Sequence, residues 1–123
     1  MSGKKFSIMA RFRSFKFAFR GFVYLFRDEH NAWIHTLAAI AAIVLGFILK
    51  ISGAEWIAIL FAIALVFVSE MINSSIENLV DLIHPDEDPK AGKIKDLAAA
   101  AVLVASLTAA VAGIIIFVPK LFG

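Results

Sequence analysis

Two carboxylates and one amide follow an uncharged apolar stretch at helical spacing. The stretch covers residues 56–68, and Glu70, Asn73 and Glu77 come after it at intervals of three and four. These intervals place the three side chains on one face of a helix, and Asp81 extends the row. Because ionisable groups are costly beside or within an apolar span, they mark functional sites or buried partners. The pattern predicts acidic chemistry where a membrane segment ends.

Such carboxylates can supply what phosphoryl transfer needs from a protein. A base must take the proton of the acceptor hydroxyl, and oxygen ligands must hold a divalent cation on the phosphates. Glu70, Glu77 and Glu29, which come from two different helices, can do this together. The sequence contains no P-loop, no dinucleotide-binding fingerprint and no nucleophile elbow. The histidines are too scattered for a zinc signature and are interpreted as interfacial or packing residues; they are His30, His35 and His84.

Two functions without catalysis stay open on the residues alone. Intramembrane Glu and Asn can hold helices together by hydrogen bonds, as in a small membrane scaffold. Intramembrane carboxylates also serve ion and proton carriers. A carrier needs acidic groups along a path near the midplane, whereas these groups cluster at one interface.

Apolar spans must position these residues. Hydrophobic residues make up 61% of the 123-residue chain and there is no cysteine, so a soluble domain, a disulfide framework and a thiolate metal site are excluded. We predict one all-α integral-membrane domain, 1–123, with transmembrane helices over 33–51, 54–83 and 96–118. The spans must be helical because only helices and closed barrels satisfy the backbone in lipid.

The segment 1–30 is predicted to form an amphipathic helix on the membrane surface. One face is aromatic and a neighbouring face is basic. With three spans attached, this pattern favours a surface anchor over nucleic-acid binding, and the basic residues either anchor the helix or also meet phosphate. The aromatic residues are Phe12, Phe15, Phe19, Phe22 and Phe26, and the basic ones are Arg13, Lys16, Arg20 and Arg27.

The distribution of basic residues predicts the orientation. Seven of the twelve Lys and Arg residues precede residue 30 and three lie between the second and third spans, whereas the first connection has only Lys50 and the C-terminal tail only Lys120. The positive-inside rule therefore places the N-terminus, the second connection and the acidic row in the cytoplasm.

The second connection suits an anion. Lys95 and Asp96 are expected where the third span begins, with Asp96 as its N-cap, and a helix N-terminus favours negative charge. Acidic and basic residues share this connection, namely Asp86, Glu87, Asp88, Lys90 and Lys93.

Together these motifs resemble the small bacterial integral-membrane lipid kinases, the diacylglycerol and undecaprenol kinases. The resemblance rests on the run Glu-Met-Ile-Asn-Ser-Ser-Ile-Glu at 70–77, on Val-Asp at 80–81, on Gly-Lys-Ile-Lys-Asp at 92–96, and on Arg20-Gly21 and Glu29 upstream. It implies a multi-pass homotrimer in the bacterial cytoplasmic (inner) membrane, with active sites shared between protomers. The implied partners are ATP, Mg²⁺ and a membrane lipid alcohol, without nucleic acid.

The resemblance also implies roles for individual residues. Glu70 matches the general base, Asn73 an active-site polar residue, and Glu29 and Glu77 the ligands of Mg²⁺ bound with ATP. Phe17 stands where some relatives have a nucleotide-contacting tyrosine, so Arg13 is the best candidate for an arginine contact there. The positions that match the family's nucleotide-binding regions are Arg13, Asp86, Glu87, Asp88, Lys95 and Asp96.

Two segments bear on the lipid. The run Glu-His-Asn-Ala-Trp-Ile-His at 29–35 looks like the undecaprenol branch, whereas the diacylglycerol branch tends to have a second glutamate at position 35. The closing segment 115–121 resembles the undecaprenol branch as well. Undecaprenol is therefore the favoured substrate and diacylglycerol the alternative.

Overall fold

The computed structural model describes residues 7–123, so the first six residues of the predicted surface helix lie outside the described part. Four α-helices account for nearly all of that range. An all-α fold with three helices long and apolar enough to cross a membrane is confirmed. The helices are α1 (Ile8–Asp28), α2 (His30–Ile48), α3 (Gly53–Ile83) and α4 (Pro89–Phe122).

The three long helices run antiparallel to their neighbours in the chain. Contacts at one end join the start of α2 to the C-terminal half of α3, as between His35 and Glu70. Contacts at the other end join the start of α3 to the end of α4, as between Glu55 and Lys120, 3.3 Å apart. Helix α1 and the α3–α4 loop therefore lie at the same end of the bundle, which we term the site end.

Local signals set where the helices begin. Ser52 and Glu55 form a reciprocal capping box at the start of α3. Asp88 caps α4, since its Oδ2 accepts the Ala91 N–H at 3.3 Å, and Pro89 occupies the first turn. The predicted cap at Asp96 is therefore wrong, because α4 starts well before residue 96 and Asp96 lies inside it.

A single residue separates α1 from α2. Glu29 has an extended backbone (φ −115°, ψ 110°), its N–H donates to Leu25 O at 2.9 Å, and its carbonyl accepts from Ala32 N at 3.3 Å. Next to this joint, Trp33 Nε1 donates to Phe26 O at 2.8 Å, and the two rings meet edge to face with centroids 5.2 Å apart. The surface helix is thus fixed to α2.

The aromatic face of α1 is exposed. Phe12, Phe15 and Phe19 are 65%, 70% and 75% exposed, and two aromatic rings carry a guanidinium, with Arg20 over Phe17 and Arg27 over Tyr24. An exposed aromatic face bordered by cations suits the boundary between lipid tails and headgroups.

The end opposite the site end holds the best-packed part of the bundle. Ile51, Ile59, Ile116 and Phe117 form a buried cluster, and Lys50 turns the chain between α2 and α3 with a left-handed backbone (φ 53°). Gly46 lies against Trp56, so that a Cβ at position 46 would come within 2.6 Å of the indole ring. Only glycine fits this contact without displacement.

Replacing Gly46 by alanine should destabilise the protein. Overpacking of a tight contact costs ~1–3 kcal/mol, which exceeds the ~1 kcal/mol gained in helix propensity. The matched control is Gly113→Ala, where the added Cβ meets no atom within 4 Å. In thermal unfolding in detergent micelles, Gly46→Ala should lower the midpoint and Gly113→Ala should not. Equal midpoints for the two variants would contradict the contact.

Candidate active site

Glu70 is the charged side chain buried most deeply in the described part of the chain. It is 1% exposed and lies well inside α3. A carboxylate in such a place needs a hydrogen-bond partner, because an unpaired buried charge is strongly destabilising. The partner of Oε1 is His35 Nε2 on α2, at 3.2 Å.

Asn73 and Glu77 continue the face that begins at Glu70. Asn73 is 9% exposed, and its Nδ2 donates to Glu77 Oε1 at 3.3 Å. Its other polar atom, Oδ1, is buried and has no hydrogen-bond partner within residues 7–123. Glu77 is half-buried, so burial decreases from Glu70 towards the end of α3. Because buried polar atoms are normally hydrogen-bonded, this free amide oxygen indicates that a further polar group can bind beside Asn73.

Glu29, at the α1–α2 joint, lies at the same end as Glu77 and is half-buried. Its side chain makes no capping hydrogen bond to α2, so its carboxylate is not committed to the helix start. Within residues 7–123, no group of three or more His, Cys, Asp or Glu side chains is arranged to hold a metal. Two carboxylates nevertheless suit Mg²⁺, which takes a few protein oxygens and completes its shell with phosphate and water.

The α3–α4 loop borders a polar cleft of about 570 Å³. Asp86 and Glu87 are exposed there and Asp88 is half-buried. Lys95 reaches across the cleft to Asp81, with Nζ 2.5 Å from Oδ1. Asp96 borders a second, shallower cleft instead, with Pro89 and Gly92. The structure thus brings Lys95 together with the loop acids but turns Asp96 to another side of α4.

Arg13 is exposed on α1, and among the described residues no hydrogen bond or ion pair joins it to the loop. Nearer the joint, the hydrogen bond from Arg27 Nε to Asp28 Oδ1, at 3.0 Å, raises the pKa of the Arg27 guanidinium. Because both side chains are well exposed, this pair contributes little to stability.

An apolar groove of about 410 Å³ runs along the bundle between α2, α3 and α4. It extends from His35 at the site end to Ile59 and Phe117 at the other. Small side chains open it, among them Ala38, Ala42, Ala109 and Gly113. A groove of this shape can take a hydrocarbon chain whose polar end reaches the Glu70–His35 pair.

His35 is the residue of this site that the sequence interpretation left out, having described it as interfacial or packing. A signal for it exists in the sequence. His35 lies near the start of one span and Glu70 in the C-terminal half of the next, so two antiparallel helices bring them to similar depth.

Comparison with known proteins identifies the family. The sequence model of the family described as prokaryotic diacylglycerol kinase matches residues 16–117. The chain is 40% identical over 110 residues to the undecaprenol kinase of Bacillus subtilis (strain 168), with 89% of each chain covered. It is 32% identical to a diacylglycerol kinase of Synechocystis, covering 88% of this chain and 62% of that relative.

A further relative is the diacylglycerol kinase of Escherichia coli (strain K12), 28% identical over 72% of this chain and 78% of the relative. The matched range therefore extends over nearly all of the α2–α4 bundle and most of α1, and the acidic face lies within it. This chain belongs to the prokaryotic diacylglycerol kinase family.

Proposed function

We propose that this protein is an ATP- and Mg²⁺-dependent lipid kinase that phosphorylates the primary hydroxyl of undecaprenol. The observation that carries the proposal is the buried carboxylate of Glu70, whose hydrogen-bond partner His35 lines one end of an apolar groove. A lipid alcohol that lies in the groove presents its only polar group there. Diacylglycerol is the second candidate, because the family description and two of the relatives carry that name.

Glu70 is assigned as the general base. As the lipid oxygen forms a bond to the γ-phosphorus, its proton passes to the Glu70 carboxylate. The bond between the γ-phosphorus and the β–γ bridging oxygen breaks, and ADP leaves. Phosphoryl transfer of this kind depends mainly on positioning and on charge stabilisation, which a buried and hydrogen-bonded carboxylate supports.

Glu29 and Glu77 are the residues that would hold Mg²⁺. The cation supplies neutralisation of the phosphate charge when it is bound. Asn73 orients one of these ligands, because its Nδ2 donates to Glu77 Oε1. Its unpartnered Oδ1 is left to accept a hydrogen bond from a substrate hydroxyl or a water.

The nucleotide is assigned to the α3–α4 loop and the start of α4. Lys95 supplies a point charge for phosphate, and its ion pair with Asp81 has to exchange when a phosphate binds. The remaining proposed contacts keep their assignment from the family resemblance; they are Arg13, Asp86, Glu87, Asp88 and Asp96.

The site end is assigned to the cytoplasm, where ATP is available, and the protein to the bacterial inner membrane. The basic residues of α1 and of the α3–α4 loop support this orientation. A homotrimer is proposed as the active form. Its support is the family resemblance together with the broad apolar flanks of the helices, which include Phe47, Phe61 and Ile115, each at least 67% exposed.

Replacing Glu70 by glutamine should abolish most of the activity. The variant keeps size and hydrogen bonding but loses basicity, so turnover should fall by about a hundredfold or more. The matched control on the same helix is Glu55→Gln, which retains a residue able to complete the capping box. The assay is transfer of labelled phosphate from ATP to lipid in mixed micelles. Near-normal turnover of Glu70→Gln would exclude it as the base.

Loss of either proposed metal ligand should raise the requirement for Mg²⁺. In Glu77→Gln and Glu29→Gln, half-maximal activity should need a Mg²⁺ concentration about tenfold higher or more, because an amide is a poorer ligand for a hard cation. Asp28→Asn serves as the control beside Glu29, since Asp28 pairs with Arg27. An unchanged Mg²⁺ titration in both glutamine variants would rule out this assignment.

Undecaprenol should be phosphorylated with a higher kcat/KM than diacylglycerol. The groove offers few polar partners for an ester region, since its lining beyond His35 has only Ser106 as a polar side chain. A site built for diacylglycerol would have polar groups that bind the esters. An isoprenoid would leave those groups without hydrogen-bond partners and would be a poor substrate. Both lipids should be compared at equal mole fraction in the same micelles. A tenfold preference for diacylglycerol would establish the second candidate.

A further inference from the structure

His35 connects the two parts of the site that the proposed function treats separately. Its ring lines the apolar groove, and its Nε2 lies 3.2 Å from Glu70 Oε1. The two residues are on different helices, 35 positions apart in sequence. Glu70 itself is not among the residues that line the groove, so His35 is the residue that joins the groove to the buried carboxylate.

The chemistry of the pair fixes which atom donates. A carboxylate that acts as a base only accepts hydrogen bonds, so the proposed role of Glu70 requires the proton of the pair on His35 Nε2. A single donor on Oε1 restricts rotation of the carboxylate about its last torsion, which is otherwise broad. The second oxygen, Oε2, then keeps a defined direction.

We infer that His35 is a positioning residue for the lipid kinase reaction. Its Nε2–H holds Glu70 Oε1, so that Oε2 faces the hydroxyl of a lipid alcohol lying in the groove. This inference rests on the proposed function, with Glu70 as base. The proton of the hydroxyl ends on Glu70, and His35 neither gains nor loses one.

If the hydrogen bond between His35 and Glu70 served only to pack α2 against α3, the variants would behave differently. Interhelical polar contacts in membranes stabilise helix packing modestly, and their loss lowers stability whether or not Glu70 acts as a base. A positioning contact acts only through Glu70. Its loss must lower the rate of the chemical step, and it must have no effect once Glu70 can no longer act as base.

The test uses the full-length protein in mixed micelles, with saturating Mg²⁺-ATP and either lipid alcohol. His35→Phe keeps an aromatic ring and removes the donor, whereas His35→Gln keeps an N–H donor on a flexible chain. Thr36→Val is the control on the same helix, since the Thr36 hydroxyl donates to Ala32 O of its own helix. Each variant is combined with Glu70→Gln to complete a double-mutant cycle.

His35→Phe should lower kcat by about tenfold or more while the KM values for lipid and ATP change less than about threefold. His35→Gln should recover a large part of the loss, and Thr36→Val should resemble the parent. In the Glu70→Gln background, His35→Phe should change the residual rate less than about twofold. Thermal midpoints of all variants separate these effects from unfolding, and if His35→Phe does not fold, His35→Gln in the same cycle decides.

Three results would overturn the inference. One is an unchanged kcat in His35→Phe, another is an effect confined to KM, and the third is a loss of equal size in both Glu70 backgrounds. A parent protein inactive on both lipids would instead overturn the proposed function, and this inference with it. An active parent whose activity does not depend on His35 overturns the positioning role alone.

Discussion

The structure depends on keeping one carboxylate inside an apolar helical bundle. Burial of an ionised group costs several kcal/mol unless hydrogen bonds replace water, so α2 and α3 must meet in the register that brings His35 to Glu70. That register also sets the depth of the groove and the level at which the α1–α2 joint lies along α3. The position of α2 against α3 therefore depends on the need to give Glu70 a hydrogen-bond partner.

Tight packing and the polar cleft lie at opposite ends of the bundle. The end opposite the site holds the close Gly46–Trp56 contact, the capping box at Ser52 and the buried apolar cluster. At the site end, exposed acids and an ion pair that can exchange surround the polar cleft. Tight packing at one end holds α3 and α4 in place, so the other end can keep space for ligands without loss of the fold.

Sequence patterns predict the individual helices better than the contacts between helices. Apolar runs were sufficient for the three spans, and intervals of three and four were sufficient for the shared face of Glu70, Asn73 and Glu77. The start of α4 was misplaced because charged residues made its first turns look like loop, although Asp88 before Pro89 is a good start signal. The separation of Lys95 from Asp96 follows from helical geometry, since consecutive residues point about 100° apart. The His35–Glu70 contact joins two helices, so no pattern within either helix predicts it, and its sequence signal is the similar depth of the two residues in antiparallel spans.

The one-residue joint at Glu29 ties the rotational phase of α1 to that of α2. Each residue of an α-helix advances the side-chain direction by about 100°, and there is no loop in which to absorb an extra one. An insertion between Phe26 and Trp33 would therefore turn the phenylalanine face of α1 away from the lipid surface we assign to it and break the indole hydrogen bond. At this joint we expect substitutions to be tolerated better than insertions or deletions.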